Sequence, residues 1–518
     1  MLIATKAWSD FGAHIPLIRS FSLGANWPPQ YPLFPGQPIR YHFLFYFLVG
    51  MLEKAGLRID WALNIPSALG FFLLVYMVYK LGTFLFADKR VGMLAVLFFL
   101  FNGNLTFVRF FRQFPINFAS LGQIMRNVHF VSFAPWGQGD ISAFWSLNIY
   151  TNQRHLALAF GLALLVVYLF LKLETVSVRK QMFWAPVLAI LLGIFPYFHQ
   201  PTLLIVGICM GWYFLVFPRL RWFLLLTGIL AGLLIAPQVF LLSQGPKLIA
   251  WYPGYLIHDA LSIPRFFSYW WQNLGLHSVL YAIGFLVAPV WMKKALFPIF
   301  IIFAVANLFK FSPEVAASHK FFNFFLILGN ILSAYALIRL FHRIRSMSSH
   351  WLIGVSAYWI IGLFLFFLTF SGIIDFFPIY NDPIGPLPDK PTNKMANWIL
   401  HNTPPESIVL NSSFFYNPAS LAGRKIFLGW PYFAWSAGYD TYKRMDQQKH
   451  VLEAPDTESL CLFLSRYNID YILLEKPQSQ QEFSPNVAVY QQSLPLLHED
   501  TLNNTLYSLY GGKSFCTL

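Results

Sequence analysis

The sequence predicts an α-helical polytopic membrane protein of about ten spans, eleven with a missing N-terminal one, ending in a small extracytoplasmic α/β domain. Three observations predict it. Of the 518 residues 57% are hydrophobic and only 11% charged, and mean hydropathy is +0.54, whereas a soluble chain carries about a quarter charged residues. Apolar runs bounded by charge or proline recur from residue 61 to residue 377. After residue 378 the chain opens with Pro and Asp and is no longer continuously apolar.

The first segment, 1–60, is polar and proline-rich and reads as an outer loop with juxtamembrane helices. Residues 7–22 suit a helix lying at the membrane surface, with aromatic and aliphatic side chains sinking into the interface. Spans are then expected at 61–84, 91–107, 155–173, 182–197, 200–217, 221–243, 277–291, 295–309, 320–341 and 351–377. One side of these spans holds thirteen bases, from Lys80 to Arg345, against two acids, Asp88 and Glu174. The positive-inside rule makes that side cytoplasmic. The long loops 1–60, 108–154, 244–276 and 310–319 and the tail then face outward. Both termini are outside, and because Met1 opens directly into an outer loop, one upstream span is expected to be missing.

In the tail, Asn393 to His401 and Ser459 to Tyr467 read as helices, and Ser407 to Leu410, Lys425 to Leu428 and Asp470 to Leu474 as strands. The expected organisation is a first loop over 1–60, a cell-membrane core over 61–378 and an α/β domain over 379–518.

The charge distribution excludes a nucleic-acid role. Net charge is +14, but residues 1–378 hold 26 Lys and Arg against 9 Asp and Glu, while 379–518 hold 10 against 13. The excess belongs to the membrane part, not to one soluble basic stripe. Of three cysteines, Cys209 falls in an apolar run, and Cys461 and Cys516 could form one disulfide. There is no P-loop, no GxGxxG, no GxSxG elbow and no HExxH or CxxC, so no cofactor or metal is indicated.

Chemistry concentrates at the outer face. Between Trp8 and His42 the only acid is Asp10, and on a helix His14 lies at i+4 on the same face. A carboxylate beside an imidazole is a candidate general base; the plainer reading is that Asp10 caps the helix or pairs with Arg19. Its competitors in the outer loops are Asp60, Asp140, Asp259 and Glu314. Outer bases are plentiful: Arg109, Arg112, Arg126, Arg154, Lys247, Arg265, Lys310 and Lys320. They suit an anionic ligand, phosphate above all, although snorkelling to lipid headgroups explains about half of such residues. Arg154 with His155, Ser318-His319-Lys320 and His199 sit where polar groups meet the outer mouth of a bundle. A transporter would place ionisable groups in mid-span, and the spans are nearly free of them. A single carboxylate suffices when the leaving group is a phosphate, which departs without a general acid; glycoside hydrolysis would call for two.

These segments, Trp8 to Pro29, Tyr41-His42, Asn152 to His155 and His319-Lys320, resemble those of the type C glycosyltransferases, integral membrane enzymes that use polyprenyl-phosphate sugars, and particularly bacterial members of the mannosyl- and arabinosyl-transferase kind. The resemblance implies Asp10 as base, aided by His14, and Arg154, His155, His319 and Lys320 as contacts to the donor phosphate. It implies a polyprenyl-phosphate-linked sugar, membrane lipid and a glycan, lipid or protein acceptor as partners. The chain departs from the family in lacking a span ahead of the first loop and a paired acidic DxD, since Phe11 and Gly12 follow Asp10. His42, His199 and, in the aromatic stretch of the tail, Trp430, Trp435 and Tyr439 are candidate sugar or acceptor contacts. The plainer reading of Trp430, Tyr432 and Trp435 is a packing face against the membrane. The alternative function is a transporter or a flippase for a lipid-linked substrate.

Overall fold

The computed structural model describes residues 1–135, 137, 139–242, 249–257, 260–346, 351–390, 392–477 and 483–516, without the side chains of 240–242 and 351–357. Lys247 and Asp259 lie outside it. The chain folds as two compact units, one of residues 1–66 and 384–518 with a short stretch beginning at 239, the other of 67–238 and 249–383.

The first unit is built on a five-stranded sheet in the order Leu496–Leu502, Thr505–Gly511, Tyr471–Lys476, Ile408–Asn411, Lys425–Ile426. The first three strands are antiparallel neighbours and the last two pairings are parallel. The strands expected near 408, 425 and 471 are present, and the helices expected from 393 and 459 are found at Lys394–Asn402 and Thr457–Arg466. Both helices start on side-chain caps, Asn393 accepting from the amide of Ala396 at 2.9 Å and Asp456 from that of Ser459 at 2.7 Å. The outer hairpin turns at Asn503 and Asn504, both at positive φ, which Asn tolerates better than other residues with a β-carbon. Cys461 and Cys516 are joined in a disulfide with Cα atoms 5.6 Å apart.

The beginning of the chain is woven into this unit. Leu2–Ala4 pairs antiparallel with Ile384–Pro386, and the N-terminal amine donates to the carbonyl of Leu387 at 2.7 Å. The amides of Ile426 and Gly429 donate to the carbonyls of Pro32 and Leu33 at 2.9 Å each, so the turn of the short hairpin of Gln30–Tyr31 with Phe34–Pro38 covers the sheet's edge. The helix expected over 7–22 is observed as Trp8–Ser22, but not as a helix lying at a surface: Phe11 to Ser22 are all buried within the protein. Gly12 lets it approach the tail, because a β-carbon there would lie 2.5 Å from the ring of Phe415.

The second unit is a helical bundle, and the chain is a multi-pass membrane protein. Among the described residues seven helices are long and apolar enough to cross a membrane: Ile59–Phe86, Leu156–Leu173, Val178–Phe198, Pro218–Val239, Val290–Leu308, Val315–Ser346 and Tyr358–Tyr380. Gln200–Val216 and Leu276–Val287 are apolar but shorter. The run expected as a span over 91–107 is instead a helix, Lys89–Leu100, of 12 residues, about 18 Å at 1.5 Å per residue, followed after a break by a second helix, Thr106–Gln113. The break is at Asn102-Gly103-Asn104, where a β-carbon on Gly103 would stand 2.5 Å from the carbonyl of Leu368; the backbones meet where a continuous helix would have kept them apart. The helix from 319 is the hub: most of it is buried within the protein, whereas most of Pro218–Val239 is not. A polar seam runs through the hub: Tyr281 donates to Asn330 at 2.8 Å, and Asn330 donates to Asn102 at 3.2 Å. Beside it lies a cavity of about 20 Å³ lined by Asn102, Ser146, Tyr150, Asn323 and Asn330, large enough for a water molecule.

Candidate functional site

In the first unit, Asp10 occupies the first turn of Trp8–Ser22, where a carboxylate is favoured by the helix dipole. The residue preceding that turn, Ala7, has no side chain to cap it. Arg19 belongs to other carboxylates. It is 1% exposed, contacts Glu53 at 2.9 Å and grips Asp389 with both terminal nitrogens at 2.8 and 3.2 Å. The plainer expectation that Asp10 pairs with Arg19 is thereby corrected; Glu53, one residue from the end of Leu44–Lys54, and Asp389 in the tail take that place.

Asp10 is half-buried among tyrosines. Burial, and after it the charge of Asp10, pushes the hydroxyls of Tyr41 and Tyr416 well above the ordinary phenol pKa, and burial, Tyr41 and Asp10 do the same for Tyr46. All three therefore stay protonated at neutral pH. Tyr41 and Tyr46 hydrogen-bond to each other, and Tyr416 donates to the carbonyl of Trp8. His14 is buried and stacks on Tyr46 with ring centroids 4.7 Å apart; His42 stacks on Tyr41 at 3.9 Å. His14 thus packs on Tyr46, and Tyr41 and Tyr46 both lie near enough to Asp10 to feel its charge; Tyr46 is not among the residues the sequence singles out, whereas Tyr41-His42 is.

The tail aromatics differ among themselves. Tyr439 is buried, stacks on Tyr31 at 5.8 Å, accepts from the amide of Arg40 at 2.9 Å and donates to Pro38 at 3.1 Å. The Arg40 guanidinium lies 4.7 Å from the centre of its ring. Trp430 is exposed and stacks on Phe415 at 5.2 Å, and Trp435 is half-buried beside Tyr432 at 6.0 Å.

In the second unit, three helix beginnings bring together residues far apart in the chain. His155 is the N-cap of Leu156–Leu173, His199 is the N-cap of Gln200–Val216, and His319 starts the hub helix after a short turn, Val315–Ser318. All three imidazoles are buried. The rings of His155 and His199 are 5.4 Å apart, and His199 feels the charges of His155, Lys320 and His319. His319 Nδ1 lies 2.7 Å from the amide oxygen of Asn323, which cannot donate, so this nitrogen carries the proton. Asn323 is itself fixed by donating to the carbonyl of Phe144 at 2.7 Å. His319 Nε2 is left facing Lys320 Nζ and Gln153 Nε2, each at 3.5 Å. His199 Nδ1 meets the hydroxyl of Thr202 at 2.5 Å. Ser318 Oγ is buried without a hydrogen-bond partner among the described residues. Burial lowers the pKa of Arg154, which precedes His155.

Such a group of helix starts, imidazoles and one lysine is an environment that suits an anion, since helix N-termini and a cation both favour negative charge. Asn323 and Thr202 went unnoticed in the sequence, each lying one turn after a histidine already singled out, whereas Ser318 was in view beside His319. Two titratable side chains buried in the bundle were also missed. His277 is satisfied by Ser333 at 2.9 Å and the carbonyl of Leu368 at 3.1 Å. Asp375 receives a 3.4 Å hydrogen bond from Thr106. Elsewhere in this unit Asp140 lies between Arg109, at 3.8 Å, and Arg265, at 3.6 Å.

No protein-family model and no curated protein matches the sequence. Solved structures do. ArnT from Cupriavidus metallidurans bound to undecaprenyl phosphate aligns with a TM-score of 0.50 and 12% identity over 98% of this chain and 94% of that one. The apo state of the same protein gives 0.48, also at 12% identity and over the same shares. The Archaeoglobus fulgidus oligosaccharyltransferase tethered with an acceptor peptide gives 0.48 at 13% identity over 91% of this chain. The chain spans 65% of the length of that oligosaccharyltransferase. At 12% identity the likeness to undecaprenyl-phosphate-bound ArnT is one of fold, and the polytopic architecture with a small sheet-containing tail domain is the one expected from the sequence.

Proposed function

We propose that the protein is a membrane glycosyltransferase that moves a sugar from a polyprenyl-phosphate donor to a cell-surface acceptor on the extracytoplasmic side of the membrane. The observation that carries the reading is the gathering of buried His155, His199 and His319 with Lys320 at three helix beginnings. The undecaprenyl phosphate bound in the ArnT structure of like fold is a lipid phosphate of the class proposed here.

Asp10 takes the proton from the acceptor hydroxyl. The acceptor oxygen attacks the anomeric carbon, and the bond from that carbon to the phosphate oxygen breaks with its electron pair passing to the phosphate, inverting the sugar. The charge that develops on the leaving phosphate is met by Lys320, Arg154 and the three histidines, the kind of preorganised stabilisation that contributes most in a site shielded from water. His14, wedged on Tyr46, keeps the Asp10 face in order, and protonated Tyr41 and Tyr46 supply hydroxyls for orienting the acceptor. His42, Trp430 and Trp435 are proposed contacts to sugar or acceptor; Tyr439 is buried against Tyr31, Phe34 and Arg40 and packs that segment instead. The Cys461–Cys516 disulfide supports an extracytoplasmic tail, since such bonds persist in oxidising compartments.

The test is turnover of a panel of labelled polyprenyl-phosphate sugars by the purified protein beside Asp10→Asn. Transfer or slow hydrolysis of one donor, lost in the variant with donor binding retained, supports both class and base. Turnover untouched by Asp10→Asn keeps the class and moves the base to Asp140 or Glu314. A second reading, a transporter or flippase, is favoured by Asp375, a buried carboxyl in a membrane helix. It predicts donor binding without turnover and lipid translocation that Asp375→Asn abolishes.

A further inference from the structure

Residues 106–126 form two short helices, Thr106–Gln113 and Ser120–Met125, joined by a turn. Their underside is anchored: Phe110 and Ile124 bury against Ile374, with Phe370 and Phe377 around them. The anchor is the end of the last membrane helix. Just past it, Asn381 donates to the carbonyls of Met125 and Asn127 at 2.9 Å each, which clamps the segment to the end of that helix. The upper side is different. Residues 112–119 are exposed without interruption, and Ile116, Phe118, Leu121 and Met125 are 79, 111, 68 and 51% exposed. Three arginines, Arg109, Arg112 and Arg126, punctuate the segment and it contains no acid.

A contiguous apolar ridge of this kind has no reason to face water. Apolar side chains flanked by arginine, at the mouth of a span, are the composition of a segment lying in a bilayer interface, and the absence of acid favours anionic headgroups. We propose that residues 106–126 are an interfacial anchor that inserts Ile116, Phe118 and Leu121 into an anionic leaflet, with Arg112 and Arg126 on the headgroup phosphates. The anchor stands apart from the proposed chemistry and is tested without it.

The full chain, with Cys209→Ser to remove the one free thiol, is labelled with a nitroxide at Phe118→Cys and, separately, at Ile116→Cys. Tyr442→Cys in the tail, 79% exposed, is the aqueous reference. In nanodiscs of phosphatidylcholine with phosphatidylglycerol, spin relaxation by oxygen relative to a water-soluble nickel chelate is expected to be severalfold higher at 118 and 116 than at 442. Arg112→Gln with Arg126→Gln is expected to reduce that ratio in these discs and leave it unchanged in phosphatidylcholine alone. Labels at 118 and 116 as open to nickel as the reference would overturn the proposal, and labels shielded from both relaxants would overturn it in favour of a protein contact. A ratio that the arginine substitutions leave unaltered in the anionic discs would overturn the headgroup assignment.

Discussion

Arg19 has lost almost all contact with water, and its guanidinium is held by Glu53 and Asp389. Removing one partner of such a group leaves charges buried without compensation, at a cost of about 3–5 kcal/mol. Arg19→Ala is therefore expected to lower the thermal unfolding midpoint of the purified protein sharply, while Arg58→Ala, whose pair with Asp60 is exposed, should leave it within error. Asp10→Asn belongs to the other kind of substitution, isosteric and half-exposed; it should leave the midpoint alone and reduce turnover about 10²- to 10⁴-fold. Tyr439 adds a pH dependence. Burial pushes its hydroxyl from 10.0 up to about 12, against the opposing pull of Arg40, so the unfolded chain releases this proton first and stability falls as pH rises from 10 toward 12. In Tyr439→Phe the slope of the unfolding midpoint against pH over that window should be shallower. Asp10 and His14 could be singled out from the sequence because one acid stands alone between Trp8 and His42. Arg19's partners could not, since nothing local in the chain ties 19 to 389.

Helices explain what could and could not be read at the next scale. Trp8–Ser22 was legible from its spacing alone, and the tail's Lys394–Asn402 and Thr457–Arg466 from apolar spacing and their caps, all of them local signals. The break at Asn102-Gly103-Asn104 was written in the sequence too, but the apolar residues on either side of it read as one continuous span. The hairpin Leu496–Leu502 with Thr505–Gly511 was missed for the opposite reason: its outer strand runs through four consecutive polar residues, His498 to Thr501, that hide its character, and only the Asn503-Asn504 pair marks the turn. The histidines at three helix starts were each visible, but their convergence is a tertiary fact. If that convergence holds a donor phosphate, Lys320→Ala removes one charge-assisted contact of about 1.5–3 kcal/mol, and donor affinity measured by titration should fall about ten- to a hundredfold. Asn323→Leu should do part of the same by releasing His319, with the loss recovered in Asn323→Gln only if the longer amide still reaches the ring.

For the whole molecule the composition was decisive: so few charges in so long a chain leave little but a membrane bundle, and the bundle is there. Sidedness is the part to test. With the tail outside, a cysteine at Tyr442 should react with a membrane-impermeant maleimide in intact cells, and one at Arg343 only after permeabilisation. The pairing of beginning and end has a consequence of its own. Asp389 is made 370 residues after Arg19, which at the usual pace of synthesis is a delay of roughly 20 to 70 s. Through that interval Leu2–Ala4 has no strand to pair with, the covering of Lys425–Ile426 has nothing to cover, and Arg19 has only Glu53. The first sixty residues therefore complete their structure only with the last quarter of the chain: until it is made, the opening strand lacks its partner and Arg19 lacks its second carboxylate, however early the spans are in place.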